Sequence, residues 1–131
     1  MNTVQAAVLL RAFGDGTRLR ILNILARRQM SVTELAGLLQ CPFHRVSRHL
    51  RYLLLRGIVN TSFVGNAAVY RLSDSANAIR QAVLPAVLDV LADMPDARDD
   101  AAKLRRQGTG EPAAATRRRR SSGGRGNPSR G

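Results

Sequence analysis

The apolar residues in the first 95 positions of this chain recur at helical spacing in five separate runs. These runs cover residues 4–13, 17–28, 33–39, 43–56 and 79–94. Leucine, valine, isoleucine and alanine supply nearly all of them, so each run predicts an amphipathic helix with an aliphatic buried side. The pattern therefore predicts a mainly α-helical domain.

Residues with known preferences for helix ends separate the runs. Gly14 follows the first run, and Asp15 offers a capping carboxylate to the second. The third run starts after Ser31 or Val32, and Pro42 suits the entrance of the fourth. Gly57 follows the fourth run and can adopt the left-handed conformation that often ends a helix.

The third and fourth helices are joined by a turn of three residues, which is the spacing of a helix-turn-helix. After Gly57 the pattern changes to residues typical of strands, at 58–64 and 68–72, with Gly65-Asn66 between them as turn residues. A β-hairpin that directly follows the second helix of a helix-turn-helix is a wing. The order is four helices, a hairpin and a last helix, and Pro85 should kink or split that helix near Ala82.

The fourth helix separates apolar from polar side chains. One side carries Val46, Leu50, Leu53 and Leu54, and another carries His44, Ser47, Arg48 and Arg51 at positions i, i+3, i+4 and i+7. A row of hydrogen-bond donors along one side of a helix is what reading base edges in the DNA major groove requires.

The net charge of +12 is unevenly spread over the 131 residues. Residues 103–131 carry nine basic groups and one acidic group, a net charge of +8, whereas residues 1–102 carry only +4. Low hydrophobicity with high charge predicts that 96–131 is a disordered basic tail behind a folded domain at 1–95. Within the domain no acidic residue lies between Leu35 and Ser73, against five arginines. This basic span favours a nucleic-acid partner.

Several classes of protein are disfavoured. The single cysteine, Cys41, cannot form an internal disulfide, and a reducing compartment is expected. We expect no leader peptide and no membrane span, which points to a cytoplasmic, nucleoid-associated protein. No phosphate-binding glycine loop or catalytic constellation is present, so no enzyme activity and no cofactor are expected.

Three segments together resemble the ArsR/SmtB family of bacterial winged helix-turn-helix regulators. They are GTRLRILNIL at 16–25, VTELAGLLQCPFHRVSRHLRYLLLRGIV at 32–59 and VYRLSD at 69–74, within a match that spans roughly 3–94. The resemblance implies a homodimer that pairs through its first and last helices, binds an imperfect palindrome in double-stranded DNA and acts as a repressor. It also implies release of the DNA when an inducer binds, and the sequence does not identify one.

The resemblance places a set of residues at the DNA. Phe43, His44, Ser47 and Arg48 fall at the groove, Arg45, His49 and Arg51 are available to bases or phosphates, and Arg71 and Asn66 belong to the wing. Arg48 is the best candidate for a guanine edge, because a guanidinium can bond two acceptors at once. Phe43 could contact a thymine methyl or pack on the preceding helix, and packing is favoured. Arg117, Arg118, Arg119 and Arg120 are candidate phosphate contacts in the tail.

The usual metal sites of the family are missing their ligands. Ser31-Val32-Thr33 stand where a thiolate site needs cysteines, and Asp89 and Asp93 on the last helix have no histidine beside them. We therefore expect no metal site. Cys41 precedes the fourth helix and is a candidate thiol switch, although a structural turn residue is favoured over that reading.

Three functions remain open from the sequence. The leading hypothesis is a sequence-specific, dimeric repressor of transcription. The alternative is a general nucleic-acid-coating or architectural protein driven by the basic tail. A third reading uses the wing and the dimer surface to bind a protein.

Overall fold

A computed structural model describes residues 1–74 and 78–107 of the chain. Within these residues there are six helices and three strands. They are α1 (Thr3–Arg11), α2 (Gly16–Leu25), β1 (Met30–Ser31), α3 (Val32–Leu39), α4 (Phe43–Leu55), β2 (Val59–Val64), β3 (Ala67–Leu72), α5 (Ala78–Leu91) and α6 (Pro95–Arg106). The predicted winged helix-turn-helix is confirmed: α3 and α4 are the two helices, and β2 and β3 are the wing.

Three of the predicted helix boundaries are also confirmed. The Asp15 carboxylate accepts a hydrogen bond from the backbone N–H of Arg18 at 3.0 Å and caps α2. Ser31 and Glu34 cap α3 reciprocally, since each side chain accepts from the other's backbone N–H. After α4, Gly57 has φ +72°, the left-handed conformation that glycine adopts without strain.

The sheet is antiparallel, with the strand order β1-β3-β2. The hairpin pairs Val64 with Ala67 next to its turn, and β1 adds Met30 opposite Tyr70 on the other edge of β3. The sequence did not predict β1, because two residues are too short to show an alternating pattern. This strand fixes the start of α3 against the hairpin.

The core is aliphatic, as the composition predicts. Ile21, Leu22, Leu35, Leu50 and Leu53 are fully buried where α2, α3 and α4 meet. Leu84 of α5 joins the same core. The centre of the contact between the helix-turn-helix and α2 is thus formed by apolar side chains.

The last predicted helix is not split at its proline. Residues 78–91 form the single helix α5, and Pro85 lies inside it at an exposed position. The proline removes one hydrogen bond from the helix ladder, and at this exposed position it does not end the helix. The sequence also predicts that Ser73, Asp74 and Ser75 cap this helix, and Ser75 lies outside the described residues.

The prediction that disorder begins at residue 96 is wrong for the next eleven residues. Pro95–Arg106 form α6, with Ala97, Asp100, Ala101 and Leu104 as its buried residues. The Arg20 guanidinium of α2 makes two hydrogen bonds of 2.9 Å to the Asp100 carboxylate, which is completely buried. The Asn23 amide also donates to the Ala97 carbonyl at 3.2 Å. The folded domain therefore includes α6.

The remainder of the predicted tail, including the arginine run 117–120, lies outside the described residues. Its predicted disorder and its phosphate contacts stay predictions.

Candidate nucleic-acid interface

Helix α4 separates a buried side from a charged, exposed side. Val46, Leu50 and Leu53 have no exposed surface and anchor the helix to the core. His44, Arg45, Arg48 and Arg51 are exposed, and Ser47 between them is half-buried. The predicted donor row therefore lies on the surface. Three guanidinium groups and an imidazole share this surface on one rigid helix.

One arginine of α2 holds α4 in place. The Arg18 guanidinium donates to the carbonyls of Ala12 and Arg11, at 2.9 and 3.0 Å, at the end of α1. Its planar group also lies over the ring of Tyr52 in α4, with 4.1 Å from Cζ to the ring centre. Arg18 thereby ties the end of α1 to the middle of α4.

A second arginine stacks on the same ring. The Cζ atom of Arg56 lies 3.5 Å from the centre of the Tyr52 ring, and its Nη1 donates to the Tyr52 carbonyl at 3.2 Å. Two guanidinium groups thus contact one aromatic ring, and cation–π attraction contributes to both contacts. The roles of Arg18, Tyr52 and Arg56 could not be predicted, since their spacing in the sequence matches no recognised motif.

His49 does not lie with the exposed donors of α4, although it was predicted to be available to DNA. Its side chain is only 14% exposed; its Nε2 lies 3.8 Å from the Asp15 carboxylate, and its Nδ1 lies 3.4 Å from Nη1 of Arg18. Position 49 follows the buried Val46 by one helical turn, so His49 faces α2. It therefore positions α4.

The surroundings of His49 disfavour its charged form. Burial of the ring is the largest cause, and neighbouring guanidinium groups, Arg18 first among them, add to it. Together they outweigh the attraction of Asp15 and lower the pKa of His49 below its ordinary value of 6.5. The Asp15 carboxylate also has a lowered pKa: burial alone would raise it, but the Arg18 N–H hydrogen bond and the nearby positive charges prevail.

The packing favoured for Phe43 is not observed. The side chain is 56% exposed at the first residue of α4, so the preceding helix does not cover it. A large apolar side chain in water at a helix start is available to a partner. The contact of Phe43 with a thymine methyl stays a prediction.

The two wing residues lie at different places on the hairpin. Asn66 is exposed at the tip, whereas Arg71 is half-buried on β3 opposite Asn60. Phe63 of β2 is 72% exposed near the tip. The wing therefore presents an amide and an aromatic ring at its end, with the one wing arginine nearer its base.

The residues weighed as metal ligands or as a thiol switch lie in three parts of the fold. Ser31 caps α3, Asp89 and Asp93 are exposed, and Cys41 is a half-buried free cysteine two residues before α4. Among residues 1–74 and 78–107, no three His, Cys, Asp or Glu residues are grouped so that they could hold a metal ion. The thiol-switch hypothesis stays a prediction.

An apolar groove runs along α5 on another surface of the domain. It encloses about 370 Å³, and its walls include Phe13, Leu19, Val83, Val87 and Met94. Met94 is 42% exposed and its neighbour Val90 is 58% exposed. In the part of the chain that the structure describes, no helix is long and apolar enough to cross a membrane.

Comparisons with known proteins agree with this architecture. The sequence profile described as "Bacterial regulatory protein, arsR family" matches residues 15–61, which hold the helix-turn-helix and the start of the wing. Transcriptional activator HlyU of Vibrio cholerae is 36% identical over 74 residues, which span 56% of this chain and 68% of HlyU. The HTH-type transcriptional regulator KmtR of Mycobacterium tuberculosis is 39% identical over 79 residues, 60% of this chain and 59% of KmtR.

Solved structures show the same fold. HlyU of Vibrio cholerae superposes with a TM-score of 0.57 and 31% identity, over 72% of this chain and 95% of that one. The homodimeric winged helix-turn-helix DNA-binding domain Mb0332 of Mycobacterium bovis gives 0.56 and 27%, over 68% and 79% of the two chains. With its helix-turn-helix, its wing and the extent of its match to HlyU, the chain belongs to the arsR family of bacterial transcriptional regulators.

Proposed function

We propose that this protein is a sequence-specific, dimeric repressor that places α4 in the major groove of duplex DNA. The observation that carries the proposal is the division of α4 into a fully buried apolar side and an exposed side with His44, Arg45, Arg48 and Arg51. A major groove admits a helix of this kind, and base edges there present acceptors to such donors. Since residues 36–72 contain no carboxylate, nothing in this segment repels the phosphates.

Each exposed residue of α4 has a role in this proposal. Arg48, in the middle of the row, bonds the two acceptors of a guanine with its planar guanidinium. Arg45 and Arg51 contact phosphates or neighbouring bases, and His44 and Ser47 add single hydrogen bonds. Phe43, exposed at the start of the helix, contacts a thymine methyl.

The wing and the tail add contacts to the DNA backbone. Asn66 at the tip and Arg71 near the base approach the flanking phosphates or the minor groove. The tip carries no cation, so the run Arg117–Arg120 supplies further phosphate affinity. On this proposal the tail sets the affinity and α4 sets the sequence.

Two copies pair through α1 and the apolar groove along α5. The exposed Val90 and Met94 on this surface, with Val4 of α1 at 73% exposure, favour burial against a second copy. A two-fold dimer presents two α4 helices to successive major grooves and therefore binds an imperfect palindrome. Occupying such a site next to a promoter represses transcription. HlyU bears the name of an activator, so the direction of regulation is part of the test.

The test starts from DNA selected out of genomic fragments by the full chain, followed by footprinting. Fluorescence anisotropy then compares the selected duplex with a scrambled duplex for the wild type and Arg48→Ala. Removing a bidentate guanine contact costs about 1–3 kcal/mol on the selected duplex and much less on the scrambled one. If both duplexes lose affinity equally, Arg48 is only a phosphate contact and direct readout is wrong. A promoter fused to the selected site then shows repression or activation.

The tail-driven coating function is the second candidate, favoured by the net charge of +8 over 103–131. Because α6 belongs to the folded domain, the discriminating truncation removes residues 108–131 and keeps α6 intact. Under the repressor proposal the preference for the selected duplex survives, and the salt dependence becomes less steep by about 0.9 for each phosphate that the tail no longer neutralises. Loss of most binding to every duplex would favour the coating function.

A further inference from the structure

A polar cavity lies where α2, α5 and α6 meet, away from the exposed side of α4. It encloses about 370 Å³, and its wall includes Asn23 of α2, Arg27 just after that helix, and Arg98, Asp99 and Arg105 of α6. Leu91 of α5 and small alanine side chains complete the wall. None of the described residues to which the proposed function assigns a DNA contact lines this cavity.

The wall is positively charged. Three guanidinium groups and one carboxylate give it a net charge of +2. Within residues 1–74 and 78–107, no hydrogen bond or ion pair engages the guanidinium of Arg98 or Arg105. The first turn of α6 borders the cavity as well, and the positive end of a helix dipole favours anions. Asp96 accepts from one N–H of this turn, that of Ala97, at 2.9 Å.

The third guanidinium is held in position by a buried amide. Nη1 of Arg27 donates to the carbonyl and the side-chain oxygen of Asn23, at 2.9 and 2.8 Å. Asn23 is 2% exposed, and its amide nitrogen donates to the Ala97 carbonyl across the junction with α6. One amide thus links both walls and orients Arg27, while Nε and Nη2 of Arg27 have no hydrogen bond to a described residue. Such preorganisation reduces the entropy lost on binding.

From these observations we propose that the cavity binds a small polyanion bearing carboxylate or phosphate groups. Guanidinium groups match both anions in geometry and bind them through paired hydrogen bonds. The volume lies in the range of small-molecule sites, roughly 300–1,000 Å³. Asp99 in the same wall fits a ligand that also carries a hydroxyl donor, because its carboxylate can only accept.

The site touches the part of the domain that the proposed dimer uses. Leu91 lines both this cavity and the apolar groove, and Arg27 follows by two residues the end of α2, the helix whose Arg18 holds α4. An effect of the anion on DNA binding rests on the proposed function. Binding of the anion itself does not, and it is measured without DNA.

Citrate and inorganic phosphate serve as probes of the two chemistries. Each is titrated into the full chain by calorimetry at constant ionic strength set with sodium chloride, which holds general screening fixed. The first variant is the double variant that carries Arg98→Gln and Arg105→Gln, and its matched control is Arg106→Gln on the same helix. The third variant, Ala92→Leu, fills the cavity without a change in charge. Arg98, Arg105 and Ala92 are exposed, so all these variants should fold, and their thermal unfolding without probe checks this.

The expected result is saturable binding of at least one probe to the wild type and to Arg106→Gln. Removing one charge-assisted hydrogen bond weakens binding about tenfold or more, so the double variant should bind neither probe measurably. Ala92→Leu should also bind neither probe, because its side chain fills the cavity. A response to citrate alone assigns carboxylates, and one to phosphate alone assigns phosphates. The proposal is overturned if neither probe shows saturable binding. It is also overturned if all variants bind a probe equally, because binding then takes place elsewhere, at the basic tail. A loss of DNA affinity by the double variant without probe overturns it too, because Arg98 and Arg105 are then DNA contacts.

Discussion

The ion pair between Arg20 and Asp100 should be the main polar contact that holds α6 on the domain. The Asp100 side chain is 1% exposed and accepts two hydrogen bonds of 2.9 Å, whereas the Arg20 side chain is 28% exposed. Asp100 is the first cause of a raised pKa at Arg20, in keeping with this short contact. Asp100→Asn keeps the shape, removes the charge and places an amide N–H against a guanidinium N–H.

The structure sets the size of the loss. Hydrogen bonds to charged groups contribute about 1.5–3 kcal/mol each, and breaking a fully buried pair costs about 3–5 kcal/mol. Asparagine retains one acceptor, and the partly exposed Arg20 regains some water, so both effects reduce the loss. We expect Asp100→Asn to lower the free energy of unfolding by about 2–3 kcal/mol. In a domain of this size each kcal/mol shifts Tm by about 4–8 °C.

Urea unfolding followed by circular dichroism measures this loss. Asp99→Asn is the matched control, because it makes the same chemical change at the exposed neighbouring position and should stay within about 0.5 kcal/mol of the wild type. A double-mutant cycle with Arg20→Gln should give a coupling energy of at least about 1 kcal/mol. If Asp100→Asn matches Asp99→Asn, or if the coupling vanishes, the pair does not hold α6 and the reasoning fails.

Three further predictions concern α4 and its supports. Because folding lowers the pKa of His49 below 6.5, the unfolded chain binds more protons than the folded chain near that pH, and stability should fall as the pH drops from about 7. In urea unfolding at several pH values, His49→Gln should make this dependence of stability on pH less steep. An unchanged dependence would contradict the role of His49. Arg18→Lys should lower the free energy of unfolding by about 1–2 kcal/mol, since lysine cannot both bond two carbonyls and stack on a ring. Arg11→Lys, at an exposed side chain, should lower it little. Equal losses of stability in the two variants would refute the role of Arg18. Gly57→Ala, at φ +72°, should lower the free energy of unfolding by about 1–2 kcal/mol. Gly37→Ala lies inside α3, where a Cβ meets no atom within 4 Å, and should raise the free energy of unfolding by about 0.5–1 kcal/mol. Thermal unfolding of both variants measures these changes, and a change of the same sign in both would contradict the reasoning.

The helix-turn-helix and its wing could be predicted because their signals are local. The cap at Asp15, the turn at Pro42 and the change of period after Gly57 each mark an element boundary within a few residues. Structure formed by such local preferences is visible before any tertiary contact is known. The same signals placed His44 and the arginines of α4 on its outside.

Helix α6 escaped prediction because its stability comes from contacts distant in sequence. Its composition, rich in aspartate and arginine, is that of a solvated segment, and its buried charge is offset by Arg20, eighty residues away. A weaker signal was present in Ala97, Ala101 and Leu104, which lie on one side of a helix behind Pro95.

His49 was misplaced for a related reason. A histidine beside the apolar side of a helix is expected on the surface. The sequence does not show that Asp15 and Arg18 approach the side of α4 that carries His49. The cavity between α2, α5 and α6 could not be predicted either, since it exists only once α6 is docked.

The stacking of Arg18 and Arg56 on Tyr52 also provides an optical label. The chain contains no tryptophan and only two tyrosines, so the Tyr70→Phe variant leaves Tyr52 as the single tyrosine chromophore. Its near-ultraviolet circular dichroism and its fluorescence depend on the guanidinium groups lying 4.1 and 3.5 Å from the ring centre. Any rotation of α4 relative to α1 and α2 changes the distance from Arg18 to the ring, whereas Arg56 moves with α4. Movement of the recognition helix can therefore be followed in solution without attaching a dye.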